Sequence, residues 1–469
     1  MSVHRRAGKT ISQKITEFIG RTKLESVPPQ VREAAKLHLL DGLAAMLGGV
    51  KEESSRLLRL DCLLRGTKAE ASVLGTPNRV SAEHAALLNG VQGHVLDYDD
   101  AQLATLGSRP LGQQTHPTTP VLAAALALAE SRRANGSALL AAYIVGVEVA
   151  CRLGDAVDPS HYLDGFHPTG TLGAFGAAAA CARLLNLQPR SIRHALGIAG
   201  TLASGLRANR GTMAKGLNAG RAAENGLLAA RLASGGFTAS ENIFDESMGF
   251  FSAMCRSRVD VRLLRFGKPL FFFRPGVAVK LYPCAGVLHP ALDVTLELRE
   301  RYGIEAQSID RIRVALDAEA ALPLVYKIPQ DSLQAKFSLH FAVAAAMVDG
   351  AAGLRQFAAA RLRDSRIQDL MRRIELVRRP ASTRTHKLGI DTEVEIALKR
   401  GPVHRSRAAI ARGHPSRPAS RGDIEEKFGQ CAAGILPPGK TTKFLKNFSA
   451  LERTPSIAAW LQPLRPAGR

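Results

Sequence analysis

Three His-Pro steps carry the first chemical signal: His116-Pro117, His167-Pro168 and His289-Pro290, the first two continuing into Thr. Each stands just ahead of an apolar run. Proline is favoured at the first helical position, so each His sits at or beside a helix cap. Free N–H groups and the positive end of the helix dipole attract anions there. The same field disfavours imidazolium and suits a neutral His acting as a base near neutral pH. The plain alternative is an ordinary turn in which proline starts a helix. A second signal is His94-Val-Leu-Asp97-Tyr98-Asp99-Asp100, where three acids close a helical stretch. Asp97 falls on the face of His94. Negative charge at a helix C-terminus is unfavourable unless partnered. The spacing gives no complete oxygen cage for a metal, so none is expected. Cations supply the third signal. Lys215 and Arg221 lie in Arg210-Gly-Thr-Met-Ala-Lys215-Gly-Leu-Asn218-Ala-Gly220-Arg221, read as a Gly-bearing loop feeding a helix that starts at Gly220. Positive charge near a helix start opposes the dipole and favours a bound anion, or Glu224, as compensation. The stretch is not a P-loop, because Gly-x-x-x-x-Gly-Lys-Ser/Thr is absent. Lys280, in Lys280-Leu-Tyr-Pro-Cys284, is a further cation beside a proline turn. A solvated lysine is the plain alternative for either one.

These residues need positioning elements, and the pattern supplies two kinds. Up to about residue 267 it is helical: Val31–Leu47, a helix capped by Ser81, then Pro120–Arg132, Ser137–Leu153, Thr171–Leu185, Ser191–Leu206 and Gly220–Ser234. Several are apolar nearly all round, which predicts a bundle with a buried central layer. From 268 to 415 strands enter: Ile309–Leu316, Arg373–Arg379, Thr392–Leu398 and His404–Ala411, with Lys399-Arg-Gly-Pro-Val as a hairpin turn. Helices are expected over His289–Tyr302 and Ala335–Val348. Helical pattern returns over 416–469. The fold class is therefore mainly α: a large helical domain built from both chain ends, with a smaller α+β lid inserted.

Composition bounds the function. The 469 residues are 46% hydrophobic and 22% charged, a globular balance. The longest strongly apolar stretches, Val121–Ala129 and Ala138–Val147, are shorter than the roughly 18 residues of a membrane span. The N-terminus, with Arg5, Arg6 and Lys9, has no apolar core of a secretory signal, and the six cysteines form no Cys-x-x-Cys pair. A cytoplasmic protein with no membrane partner is expected. The net charge is +22, and residues 351–421 hold 15 Arg and 2 Lys against 6 acids. Aromatic residues are only 5% and no nucleic-acid motif is present, which argues against nucleic acid as the partner.

The sequence resembles the MmgE/PrpD family, which includes 2-methylcitrate dehydratases and cis-aconitate decarboxylases. The resemblance rests on Leu96-Asp97-Tyr98-Asp99-Asp100, Thr115-His116-Pro117-Thr118 and Gly165-Phe166-His167-Pro168-Thr169-Gly170-Thr171. It continues through Gly211-Thr212-Met213-Ala214-Lys215, Ala219-Gly220-Arg221-Ala222-Ala223, Lys280-Leu281-Tyr282-Pro283-Cys284, His289-Pro290-Ala291-Leu292-Asp293 and Ala335-Lys336-Phe337-Ser338. It implies a homodimer, no cofactor, and a site between the two domains. Asp97, His116, His167 and Lys215 would be catalytic; Lys280, Arg221 and His289 would bind substrate. The implied activity is a lyase reaction on a small di- or tricarboxylate, with dehydration of a substrate such as 2-methylcitrate leading. Decarboxylation, isomerisation or epimerisation, and a catalytically impaired basic binding protein are the alternatives. Three positions depart from family patterns. Ala101 replaces a common Thr, Asn218 a frequent His, and Ala285 a His carried by decarboxylase-type chains. The long 101–115 connection would shape the pocket mouth.

Overall fold

The structure is a computed structural model describing residues 9–102, 115–157, 159–318, 320–380 and 390–466. Its larger part is a helix array. The principal members are Pro29–Gly48, Ala82–Val95, Thr118–Ser131, Gly136–Ala156, Pro168–Leu184, Pro189–Leu202 and Met213–Ser234. Ser81 caps Ala82–Val95 by accepting from the His84 N–H, as the sequence implies. Thr118–Ser131 and Pro168–Leu184 are buried along almost their whole length, which makes them the central layer. Gly136–Ala156 is long and apolar enough to cross a membrane by length and composition, unlike the shorter stretches counted from sequence. Here it is a core helix, 89% buried over its most apolar window, and it carries the Glu148–Arg152 ion pair.

One helix begins earlier than its glycines suggest. Met213–Ser234 runs through Gly216 and Gly220 without a break. The reason is packing. A Cβ on Gly220 would lie 2.5 Å from the Leu87 carbonyl oxygen, and one on Gly90 would lie 2.7 Å from the Gly220 Cα. Only glycine lets these two backbones cross so closely. That crossing brings the start of one helix against the end of the other.

The C-terminal helix Arg421–Ala432 packs on Pro29–Gly48, and Phe428, Phe444, Trp460 and Leu464 share a core with Leu39, Leu43 and Leu126. Two-residue strands β1 (Ala71–Ser72) and β2 (Arg79–Val80) form a small antiparallel ladder. A second core lies within residues 282–396. It is built on a four-stranded sheet of β3 (Ile309–Asp317), β4 (Ile374–Arg379), β5 (Thr392–Leu398) and β6 (Val403–Ala408), in the order β4-β3-β5-β6. β3 pairs in parallel with β4 and antiparallel with β5, which forms the expected hairpin with β6. Ile312, Val314, Val394 and Ile396 point into this core beneath helices His289–Tyr302 and Leu339–Asp349. The expected Ala335–Val348 helix is split into Ser332–Ala335 and Leu339–Asp349. Ser338 caps the second piece through the Phe341 N–H, and the break releases Lys336 and Phe337 from helical positions. Several arginines of the basic 351–421 stretch are paired with acids in place. Arg379 and Arg407 converge on Asp391, Arg405 pairs with Glu395, and Arg361 and Arg366 pair with Asp364. Arg384 and Lys387 of that stretch lie outside the described residues.

Candidate active site

Asp97 organises the site. It lies just beyond the Ala82–Val95 helix with φ +52°, a left-handed conformation that aspartate tolerates better than most residues. The turn aims its buried carboxylate at two lysines. Lys215, in the first turn of Met213–Ser234, donates to Oδ1 at 2.6 Å. Lys280 donates to Oδ2 at 2.9 Å and to the Asp97 carbonyl at 3.1 Å. Burial works against this carboxyl's charge, but the Lys215 and Lys280 ammoniums outweigh it and hold it well below the usual carboxylate range. Burial pulls the Lys215 ammonium down, with Asp97 opposing.

Histidines surround this triad. His94 is fully buried; its Nε2 accepts from the Lys215 ammonium at 2.9 Å and its Nδ1 faces Asp99 Oδ2 at 2.9 Å. Burial, aided by Lys215, lowers its pKa to about 4, so it is neutral with its proton on Nδ1. His116 Nε2 lies 4.0 Å from Asp97 Oδ1, and its Nδ1 stands 3.3 Å from Asp99 Oδ1, misaligned for a hydrogen bond. His167 is the N-cap of Pro168–Leu184. Its Nδ1 faces the Asn218 amide nitrogen at 3.1 Å, and that nitrogen also faces the Leu206 carbonyl at 3.4 Å. A carbonyl opposite a carbonyl would repel, so this side of the Asn218 amide is the NH2 and Nδ1 accepts. The neutral His167 ring then carries its proton on Nε2. Burial, reinforced by His94 and Lys215, holds its pKa well below the ordinary histidine value.

These groups line a cavity between the helix array and the α+β core. Asp97, His116, His167, Lys215 and Lys280 all face it, together with Asn218, Tyr162, Arg207, Arg210, Ala285 and Phe337. Two expected members do not. Arg221 sits two turns into Met213–Ser234 and is exposed, pairing with Glu224 at i+3. Its expected role followed from starting the helix at Gly220. His289 is buried behind the wall, edge-on to Tyr282 with ring centres 5.1 Å apart. Burial and the nearby Lys280 lower its pKa to about 3, so it is a neutral wall residue. Of the three departures, Ala285 and Asn218 line the cavity. Ala101 instead pairs backbone to backbone with Ala278. Most of the 101–115 connection lies outside the described residues.

His94, Asp99, Arg207 and Arg210 also stand at or beside the cavity, and sequence reading left them without roles. His94 and Asp99 stand inside the motif that yielded Asp97, and Arg207 and Arg210 eight and five residues ahead of Lys215. Among the described residues, His94, Asp99 and His116 also bring donor atoms within 4.8 Å of one another, a spacing compatible with a metal. Hydrogen bonding accounts for that geometry: Asp99 is shared with the Thr119 hydroxyl at 2.7 Å, and His94 is sandwiched between Asp99 and the Lys215 ammonium.

A helix array joined to an α+β unit, with acid–base groups at the seam, defines a two-part enzyme architecture. Comparison with known families covers both parts. Residues 13–261 match the MmgE/PrpD N-terminal domain and residues 282–452 the MmgE/PrpD C-terminal domain, so the chain belongs to the MmgE/PrpD family. It is 28% identical over 458 residues to the cis-aconitate decarboxylase of Homo sapiens, across 95% of this chain and 93% of that one. The Mus musculus cis-aconitate decarboxylase is 26% identical, across 91% of this chain and 88% of its own length. That of Aspergillus terreus is 30% identical over 301 residues, across 62% of this chain and 61% of its own.

Proposed function

We propose that the protein is a lyase acting on a small polycarboxylate by histidine acid–base catalysis, with dehydration as its reaction. The observation that carries this reading is the pair of cavity histidines held in opposite tautomers. Asp99 beside His116 Nδ1 favours the proton on that nitrogen, leaving Nε2 as a base. Asn218 on His167 Nδ1 leaves the Nε2–H to donate a hydrogen bond to the substrate hydroxyl. His116 takes a proton from the carbon beside a substrate carboxylate, and the electron pair moves into that carboxylate. The ammonium groups of Lys215 and Lys280 stabilise the developing charge. The pair then returns to form the double bond, and the neighbouring hydroxyl, held by the His167 Nε2–H, leaves as water with the proton that His116 has taken.

Decarboxylation is the second reading, favoured by the names of the relatives. There the carboxylate would leave as CO2, and the carbon that keeps its electrons would take a proton from the Lys215 ammonium, whose hold on it burial weakens. Ala285 supports water as the leaving group, because the resemblance puts a His there in decarboxylase-type chains and Ala285 lines the cavity. Incubation with 13C-labelled 2-methylcitrate and cis-aconitate, without added metal and followed by NMR, separates the two. Alkene formation from the hydroxy acid supports dehydration. Labelled CO2 from cis-aconitate selects decarboxylation. Inactivity across a panel of hydroxy- and unsaturated polycarboxylates overturns both.

A further inference from the structure

Two cavity cations have no part in the reaction just described, Arg207 and Arg210. Among the described residues, Lys215, Lys280, Arg207 and Arg210 line the cavity against a single carboxylate, that of Asp97. Asp97 is already divided between the two lysines. No described acid pairs with either arginine, in contrast to Arg361, Arg379, Arg405 and Arg407 of the 351–421 stretch. Arg207 donates to the Tyr162 carbonyl, and its guanidinium lies over the Tyr162 ring, 3.4 Å from the centre. Its buried Nε has no partner. Arg210 donates to the Tyr162 hydroxyl at 3.1 Å and to the Leu322 carbonyl at 3.3 Å. A guanidinium offers five donors, so both keep several unused. An arginine held by an aromatic face, beside a cavity and without an acid, is preorganised to take a carboxylate.

We propose that Arg207 and Arg210 form a second carboxylate subsite, which holds a carboxylate remote from the reacting carbon and makes the site select tricarboxylates over dicarboxylates. This rests on reading the cavity as a polycarboxylate site. The charge balance agrees with it: four cations against one carboxylate leave a surplus that three substrate carboxylates would match. The two arginines precede the helix that carries Lys215, so one stretch of chain supplies the reacting end and the remote end of the pocket.

Isothermal titration with propane-1,2,3-tricarboxylate and with glutarate tests it. Wild type should bind the tricarboxylate at least about tenfold more tightly than glutarate. The double variant Arg207→Met/Arg210→Met should lose roughly 10–100-fold for the tricarboxylate and change little for glutarate. Equal affinities in wild type, no binding of either acid, or a preference that survives in the variant overturns the subsite. Arg210 also accepts from the Tyr326 hydroxyl through its carbonyl, at 2.9 Å across the seam. If the double variant does not fold, Arg207→Met alone, which leaves the Arg210 contacts in place, decides in the same way. Arginine-dependent tricarboxylate binding without turnover of any polycarboxylate would remove the lyase reading and keep the subsite. Turnover indifferent to both arginines would do the reverse.

Discussion

Asp41 and Asp97 are both buried carboxylates paired with lysine, and their lysines differ in what they have left to offer. Lys427 gives its three donors to Asp41 Oδ1 at 2.6 Å, the Tyr98 carbonyl at 2.6 Å and the Lys280 carbonyl at 2.9 Å. An ammonium has no fourth, so this pair is closed. Lys215 is met by Asp97 and His94, and Lys280 by two oxygens of Asp97, which leaves each a donor toward the cavity. The same residue types therefore make a strut in one place and a site in the other. The strut serves the site, because the two carbonyls it clamps belong to Lys280 and to Tyr98, next to Asp97.

The largest effects should come from the open pair. His167→Gln and Lys215→Met should each lower turnover by about 10²–10⁴-fold with a nearly unchanged melting temperature. Early melting with full specific activity would make both residues structural and erase the contrast. Lys427→Met should do the opposite. It leaves the Asp41 carboxylate buried without its cation, a loss of about 3–5 kcal/mol in urea unfolding. The rate of the folded enzyme should fall far less than in the histidine variant. A stable Lys427→Met protein with lost turnover would place Lys427 in the chemistry.

Proton binding sharpens the same comparison. Burial pushes the Asp41 carboxyl up to about 6, against the pull of Lys427. The unfolded value is about 3.9, so between roughly pH 4 and 6 the folded chain holds more of this proton than the unfolded chain. The Asp41 contribution to stability therefore falls as pH rises through that window and is level above it. Asp97 runs the other way: its carboxyl is depressed, so its contribution is present above about pH 4 and is lost as pH falls through the folded value. Asp41→Asn keeps an acceptor for Lys427 and cannot titrate. The stability of wild type relative to this variant should drop by about 2–3 kcal/mol across the window. A flat difference curve would show that Asp41 titrates normally.

What the sequence made legible follows from how local each signal is. The helices with unbroken apolar patterns, the Ser81 cap and the β5–β6 hairpin depend on neighbours in the chain and were readable. His116, His167 and Asp97 were readable because proline and acid clusters mark helix ends. Saturation was not. Lys427 lies 386 residues from Asp41, and nothing local distinguishes it from Lys215. Arg207 and Arg210 were missed for a related reason: a surface arginine and one stacked on Tyr162 at a cavity look alike until the ring is placed. The glycines misled, because Gly220 marks a helix crossing and Gly216 lies inside the helix, not in a loop.

Arg221 is where that misreading has a measurable consequence, and it carries the smallest expected effect. With the helix begun at Gly220, its cation would face the anion-attracting first turn. With the helix begun at Met213, that turn belongs to Lys215, and Arg221 is on the outer face, bridged to Glu224. An exposed i+3 pair contributes only a few tenths of a kcal/mol and is screened by salt. Arg221→Ala should therefore change stability by less than about 0.5 kcal/mol and leave kcat and KM as they are. Lys215→Met, six residues earlier on the same helix, should abolish most turnover. If Arg221→Ala instead raises KM strongly, the cavity extends to that face, and Arg221 belongs with the open charges.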